Sequence, residues 1–333
     1  MPRTAIIGAG SLGTVMGAIA SKNGADVTLI DTNKEHVNAL NEKGATITGK
    51  MSLTNVPIKA ITPDKMEGIY DTVILLTKQT VNDIVLNNLL KYIDKNSVVC
   101  SLQNGIPDEI VEKIVGRERA AGGSVGWGAA YIKPGVAELY TDESAMIIEI
   151  GNLDNVVNEK LTRVESFLSL VGKVVINSNL TGFRWSKLLM NATFSGMSAA
   201  LGCTFGHVLD DDKALTCAIE IGRELIQVAR AKGINLEIIV PGKDFYTFES
   251  DMDTVKAFAI EVWSVHRPQK ASMLQDMEKG IKCEIDYING LVVKSGEETG
   301  VATPYNKKVV DIVKDFEVGG NFPNFDNLQK FYK

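Results

Sequence analysis

Cysteine and histidine are scarce in this chain of 333 residues, with four of the first and three of the second. Cys100, Cys203, Cys217 and Cys283 stand far apart, without a C-x-x-C pair or a clustered histidine, so neither a disulfide framework nor a metal site is indicated. Basic runs are missing as well. None is longer than the pair Lys307-Lys308, and 35 Lys and Arg against 41 Asp and Glu leave a net charge of -6. A nucleic-acid partner or an anionic membrane surface is therefore not expected. The N-terminus enters a strand-like run at once, with no charged region followed by a long apolar one, so no secretory signal is read and the cytoplasm is the expected compartment. The one long uncharged stretch, Leu188 to Leu209, contains Asn191, Thr193, Ser195, Ser198, Thr204, His207 and three glycines. That is too polar for lipid, and it reads as helix buried inside protein.

At about 150 residues per domain the length predicts two domains, and 45% hydrophobic with 23% charged residues is ordinary globular composition. The first half alternates short apolar runs with amphipathic helical patterns, the signature of βαβ units and a mostly parallel sheet. Strands are expected at 4–8, 26–31, 71–77 and 97–102, and a β meander over 45–62. Beyond Gly122 further strands are read at 123–132, 137–140 and 145–150, then a helix over 156–171 and a strand at 173–177. After Asn179 the β-type runs stop and the pattern is helical to Val318. The expected fold is α/β, with a sheet domain over 1–178 followed by an all-helical domain over 179–333.

Gly8-Ala-Gly10-Ser11-Leu12-Gly13 fits G-x-G-x-x-G, and it lies directly after a strand and opens a helix. The first glycine permits the tight turn, the second lets the backbone approach a pyrophosphate, and the third allows close helix-to-strand packing. Asp31 ends the second strand about 20 residues further on, as expected of a carboxylate that binds an adenosine ribose. A carboxylate there repels a 2′-phosphate, so NAD is favoured over NADP, with Lys34 the nearby cation. Two more strand ends carry polar residues at the edge where α/β sheets bind ligands: Lys78-Gln79 and Gln103-Asn104-Gly105. Lys78 and Asn104 become expected cofactor contacts.

In the helical half, Lys187, Asn191 and Ser195 are spaced i, i+4, i+8 and share one helix face. A lysine held in a cleft can donate a proton or polarise a carbonyl. Asp276, Glu278 and Asp286 read as solvated helix-face charges.

These motifs, with Leu102-Gln-Asn104-Gly, Trp185-x-Lys187-x-x-x-Asn191, Ser272-Met-Leu-Gln-Asp276 and Glu284-Ile-Asp-Tyr-Ile-Asn-Gly290, resemble the ketopantoate reductase family over nearly the full length. The resemblance implies a Rossmann-type N-terminal domain and a helical C-terminal domain. It also implies a reductase of 2-oxo acids in which Lys187 is the general acid. Glu284 joins it as a second catalytic residue, and Asn104, Asn191, Ser195 and Ser272 hold the substrate. Two positions depart from the family pattern. Ser195 stands where pantoate-forming reductases usually carry a second asparagine, and Phe205 seems to replace a further pocket asparagine. An apolar wall discriminates only weakly against an added hydroxyl. A branched or aromatic 2-oxo acid is therefore the alternative substrate to 2-dehydropantoate, and a homodimer is left open.

Overall fold

The structure, a computed structural model, describes residues 2–332. The chain divides into two units, one ending at Leu180 and the other beginning at Thr181. Strands of the first unit are β1 (Thr4–Ile7), β2 (Val27–Ile30), β3 (Ala45–Gly49), β4 (Leu53–Val56), β5 (Lys59–Ile61) and β6 (Thr72–Leu75). They continue with β7 (Val98–Ser101), β8 (Ala120–Val125), β9 (Ala129–Lys133), β10 (Val136–Leu139), β11 (Ile147–Gly151) and β12 (Lys173–Ile176). Its helices are α1 (Ser11–Lys22), α2 (Lys34–Lys43), α3 (Asn82–Leu89), α4 (Asp108–Val115) and α5 (Glu159–Leu168).

One eight-stranded sheet runs β5-β2-β1-β6-β7-β8-β11-β12. Every neighbouring pair is parallel except β8 with β11. The strands β1, β2, β6 and β7 are buried at every residue, which requires apolar cover on both faces. Alternation along the strands supplies it. Ile6, Ile74 and Cys100 enter one core, while Ala5, Ile7, Val73, Leu75 and Val99 enter the other. From β1 the chain passes through α1 to β2 on one side, and β6 pairs on the other. The carboxyl end of β1 is therefore the point where the strand order reverses, the place where open α/β sheets bind ligands.

Two sequence expectations are corrected here. The run 45–62 is not one meander: β3 and β4 lie in a separate four-stranded sheet of order β4-β3-β10-β9, while β5 pairs with β2 in the large sheet. The run 123–132 is likewise two strands in two sheets, because the chain leaves the large sheet after Val125 and pairs again from Ala129 with β10. Local periodicity carries no information about which distant strand a run will meet. The small sheet shares a core with α1, through Ile47, Ala137 and Leu139 against Val15, Met16 and Ile19. Helix α5 is shorter than the expected 156–171, because the Asn158 side chain accepts the Leu161 N–H at 3.0 Å and sets its start.

The second unit is helical. It comprises α6 (Leu180–Met190), a π-turn over Asn191–Ser195, α7 (Gly196–Leu201), α8 (Phe205–Asp210) and α9 (Asp212–Ala231). After them come α10 (Met252–Trp263), α11 (Ser272–Glu278), α12 (Asn289–Thr299) and α13 (Pro304–Glu317). The uncharged stretch from Leu188 is thus broken at the π-turn and again between α7 and α8. Among the described residues no helix is long and apolar enough to cross a membrane. Phe194 stacks on Trp263 with ring centroids 4.6 Å apart, and Phe205 lies 6.0 Å from Phe194.

A buried polar chain supports the π-turn from behind. Burial pushes the Glu224 carboxyl up from its ordinary range, yet the group accepts the Tyr305 and Asn306 N–H groups at 2.8 and 2.9 Å and the Asn306 amide at 2.7 Å. Asn306 accepts in turn from Asn289 at 3.0 Å, and Asn289 also donates to the Ala192 carbonyl within the π-turn at 3.0 Å. A carbonyl whose helical partner is displaced by the wide turn thereby recovers one.

Candidate active site

The glycine turn has the geometry its spacing predicts. Gly8 takes φ +96°, and a Cβ there would sit 2.8 Å from the Thr77 nitrogen. At Gly13 a Cβ would lie 2.2 Å from the Gly8 carbonyl oxygen, so only glycine lets α1 approach β1. Gly10 is different: nothing lies within 4 Å of its Cβ position, and it is exposed. The helix that follows has no side-chain cap and no acidic residue in its first turn. Its free N–H groups, half-buried Ser11 included, suit an anion, while Leu12 packs into the core below. A nicotinamide dinucleotide fits this cradle, because the space that a Cβ would take at Gly10 is open to a pyrophosphate.

One prediction arises here. Gly10→Ala leaves the melting temperature within about 2 °C of wild type, since the side chain meets no protein atom, and weakens NADH binding by about tenfold or more. Fluorescence titration beside thermal denaturation checks it. Unchanged binding would remove Gly10 from the cofactor cradle.

Asp31 follows β2 directly, half-buried, and its carboxylate accepts the Asn33 N–H at 2.9 Å. Asn33 in turn caps α2 by accepting the His36 N–H at 3.1 Å. Lys34 is exposed, and Glu35 occupies the first turn of the helix. At the ends of β6 and β7, the polar residues divide into two roles. Gln103, 4% exposed, donates to the Thr77 carbonyl and to Asn82, both at 2.7 Å. Buried Gln79 donates to the Asn104 carbonyl at 2.6 Å. These two glutamines fix the loops that carry half-buried Lys78 and the exposed Asn104 side chain.

In the second unit a cavity of about 190 Å³ gathers Lys187, Asn191, Ser195, Phe205 and Ser272. The i, i+4, i+8 residues Lys187, Asn191 and Ser195 do share one opening, across an α-to-π junction and not along a uniform α-helix. Glu284 does not line this cavity. It is 3% exposed and precedes the short turn Ile285–Tyr287. Asp276 corrects the solvated reading, being 9% exposed. Glu278 does face solvent and pairs with Lys270 at 2.6 Å, as Asp286 does with Lys314 at 2.5 Å.

Sequence reasoning missed two polar residues of the cavity, His266 and Gln269. Both follow α10 in an irregular stretch, where no helical spacing ties them to Lys187. Burial, and then the charge of Lys187, hold the His266 imidazole below its usual range. It is therefore neutral at pH 7 and can both donate and accept. Trp263 and Met190 complete the apolar wall with Phe205. Ser198 lies outside the cavity: its hydroxyl donates to the Cys203 carbonyl at 2.6 Å and accepts from Ala271 at 3.1 Å. The four cysteines are free and buried, and burial pushes the Cys203 and Cys283 thiols up to about 12. Among the described residues no three acidic, histidine or cysteine side chains gather to hold a metal ion.

Two family models match this chain, "Ketopantoate reductase PanE/ApbA" over residues 4–155 and "Ketopantoate reductase PanE/ApbA C terminal" over residues 179–317. A 2-dehydropantoate 2-reductase of Pyrococcus horikoshii is 32% identical over 319 residues, covering 95% of this chain and 98% of that one. The protein of the same name from Lactococcus lactis is 30% identical over 320 residues, with 95% and 98% covered. Among solved structures, a D-mandelate dehydrogenase in complex with NADH superimposes with a TM-score of 0.79 at 27% identity, over 96% of this chain and all of the other (100%). The glycine turn on a reversing parallel sheet, the helical unit that follows it and likeness along the whole length lead to one assignment: the chain belongs to the ketopantoate reductase family.

Proposed function

We propose that the protein is a nicotinamide-dependent reductase that converts 2-dehydropantoate to pantoate. The observation that carries this reading is the cavity where Lys187, Asn191, Ser195 and Ser272 converge beside His266 and Gln269. Bound nicotinamide dinucleotide supplies the hydride that reaches C2 of the substrate. Gly8, Gly10, Ser11, Leu12, Gly13, Asp31, Lys78 and Asn104 are the residues assigned to hold it.

Lys187 donates a proton from its ammonium to the C2 oxygen, where negative charge develops as the carbonyl is reduced. The product is the 2-hydroxy acid, and the amine regains its proton from solvent. Asn191, Ser195 and Ser272 orient the oxo acid by hydrogen bonding, and Glu284 acts on the pocket from its buried position. NAD is the cofactor this reading favours, because Asp31 occupies the position facing an adenosine ribose.

Substrate choice follows from what lines the cavity. Ser195 and Phe205 alone would leave the wall short of hydrogen-bonding groups, but His266 and Gln269 add an imidazole and an amide. A pocket whose polar groups are paired by a substrate hydroxyl rejects an analogue that lacks it. We expect kcat/KM for 2-dehydropantoate to exceed that for 2-oxoisovalerate and phenylglyoxylate by about tenfold or more. Steady-state kinetics on all three with NADH decide it. The apolar wall of Phe205, Trp263 and Met190 supports the second reading, a dehydrogenase of branched or aromatic D-2-hydroxy acids. Faster turnover of phenylglyoxylate than of 2-dehydropantoate would establish that reading instead.

A further inference from the structure

His36 is 1% exposed and sits in the first turn of α2, beneath the glycine turn. Its Nδ1 accepts the Gly135 N–H at 3.0 Å, so the ring's proton is on Nε2 in the neutral form. Nε2 donates to the Ala9 carbonyl at 2.8 Å. Thr14 in α1 donates its hydroxyl to the same carbonyl at 2.7 Å and lies 3.1 Å from Nε2. Ala9 is the residue between Gly8 and Gly10, and Gly135 turns the β9–β10 hairpin at φ +78°. One imidazole thus ties the glycine turn to the small sheet, with Tyr131 of β9 edge-on at 5.2 Å.

We propose that neutral His36 is a positioning residue for the cofactor, holding the Ala9 carbonyl and with it the direction of the N–H groups at the start of α1, and that its protonation releases the turn and weakens dinucleotide binding. A proton on Nδ1 would set two N–H groups against each other at the Gly135 contact, and the hairpin turn must then move away. Burial holds the ring below its usual range, while the Ala9 carbonyl and the Asp31 carboxylate pull in the opposite direction. The other groups around it do not carry a proton there near neutral pH. The Tyr131 phenol is pushed up by burial and by Asp31 and Glu35, and Thr14 is uncharged. Lys34 and Glu35 of α2 and Lys133 of β9 are exposed to solvent.

The sign is distinctive. An anionic cofactor acting only through its field would bind more tightly as the ring gains charge, whereas release of the turn loosens binding. Folding stability follows the same direction: with the folded pKa lowered, the contribution is full above the ordinary histidine pKa and is lost as pH falls through the folded value.

This inference rests on a nicotinamide dinucleotide occupying the glycine turn. It is tested by NADH fluorescence titration of the full-length protein between about pH 5 and pH 8. Wild type is expected to keep a constant Kd at the upper end and to lose about tenfold or more in affinity toward pH 5. His36→Gln keeps an amide donor for Ala9 but takes up no proton, so its profile is flat and its affinity at pH 8 lies within a few-fold of wild type. Thr14→Val removes the second donor on Ala9 and steepens the wild-type loss. A flat wild-type profile, tighter binding at low pH, or an undiminished loss in His36→Gln overturns the proposal. Thr14→Val decides the matter if the glutamine variant does not fold, because an unsteepened loss there also overturns it. No NADH binding by wild type at pH 8 would remove the dinucleotide reading itself, and this proposal with it.

Discussion

Lys187→Ala lowers kcat by about 10²–10⁴-fold and leaves the Kd for NADH within about twofold of wild type. The ammonium is the one cationic donor that shares its cavity with Asn191 and Ser195, and its removal leaves the C2 oxygen to be protonated by water. Every residue assigned to the cofactor precedes Asn179, so ground-state binding of NADH does not depend on the lysine. A loss in kcat with unchanged cofactor affinity is the mark of a group that acts in the transition state. Stopped-flow reduction of 2-dehydropantoate under saturating NADH separates the chemical step from product release. A variant that retains more than about a tenth of wild-type kcat in that step would take Lys187 out of the donor role.

The second large effect concerns the dinucleotide. NADH is expected to exceed NADPH by at least about tenfold in kcat/KM, because a 2′-phosphate would meet the half-buried Asp31 carboxylate, and like charges placed together cost several kcal/mol. Asp31 is held in place by the Asn33 N–H, so it cannot swing away without giving up a hydrogen bond to a helix cap. Lys34 is exposed and offers the only adjacent positive charge in the run 31–36. Asp31→Ser should narrow the gap chiefly by improving NADPH, with little change for NADH. Equal use of the two cofactors by wild type would show that Lys34 already neutralises the phosphate and that Asp31 does not select.

The features legible in the sequence are those fixed by local chemistry. Gly8, Gly10 and Gly13 stand at the spacing that a tight turn and a close helix crossing require, and Asp31 ends the next apolar run. The continuous runs at 71–77 and 97–102 are buried on both faces, which is what the absence of alternation means. Pairing between distant strands leaves no such trace. The run 123–132 is uniformly strand-like, yet it serves two sheets, because its division depends on β11 on one side and β10 on the other.

The candidate site shows the same division. Lys187, Asn191 and Ser195 were visible as polar residues at helical spacing in an apolar segment. His266 and Gln269 come from a stretch without period, and tertiary packing alone brings them to the cavity. His36 looked like an unremarked residue of a surface helix, because its partners Ala9, Thr14 and Gly135 lie up to 99 residues away.

The π-turn at Asn191–Ser195 has a consequence for how this helix tolerates change in length. Winding at 3.6 residues per turn sets successive i, i+4 positions about 40° apart, so a third residue in an α-helical series swings about 80° from the first. A wider turn rotates less per residue and carries Ser195 back toward the side of the helix that Lys187 occupies. Such a turn is equivalent to one residue inserted into an α-helix and absorbed without a break. Deleting a single residue between Asn191 and Ser195 would restore regular winding and rotate all that follows, α7 included, by about 100° relative to the lysine. Evolution can therefore reset the wall of this pocket by the gain or loss of one amino acid, with no substitution at any residue that lines it.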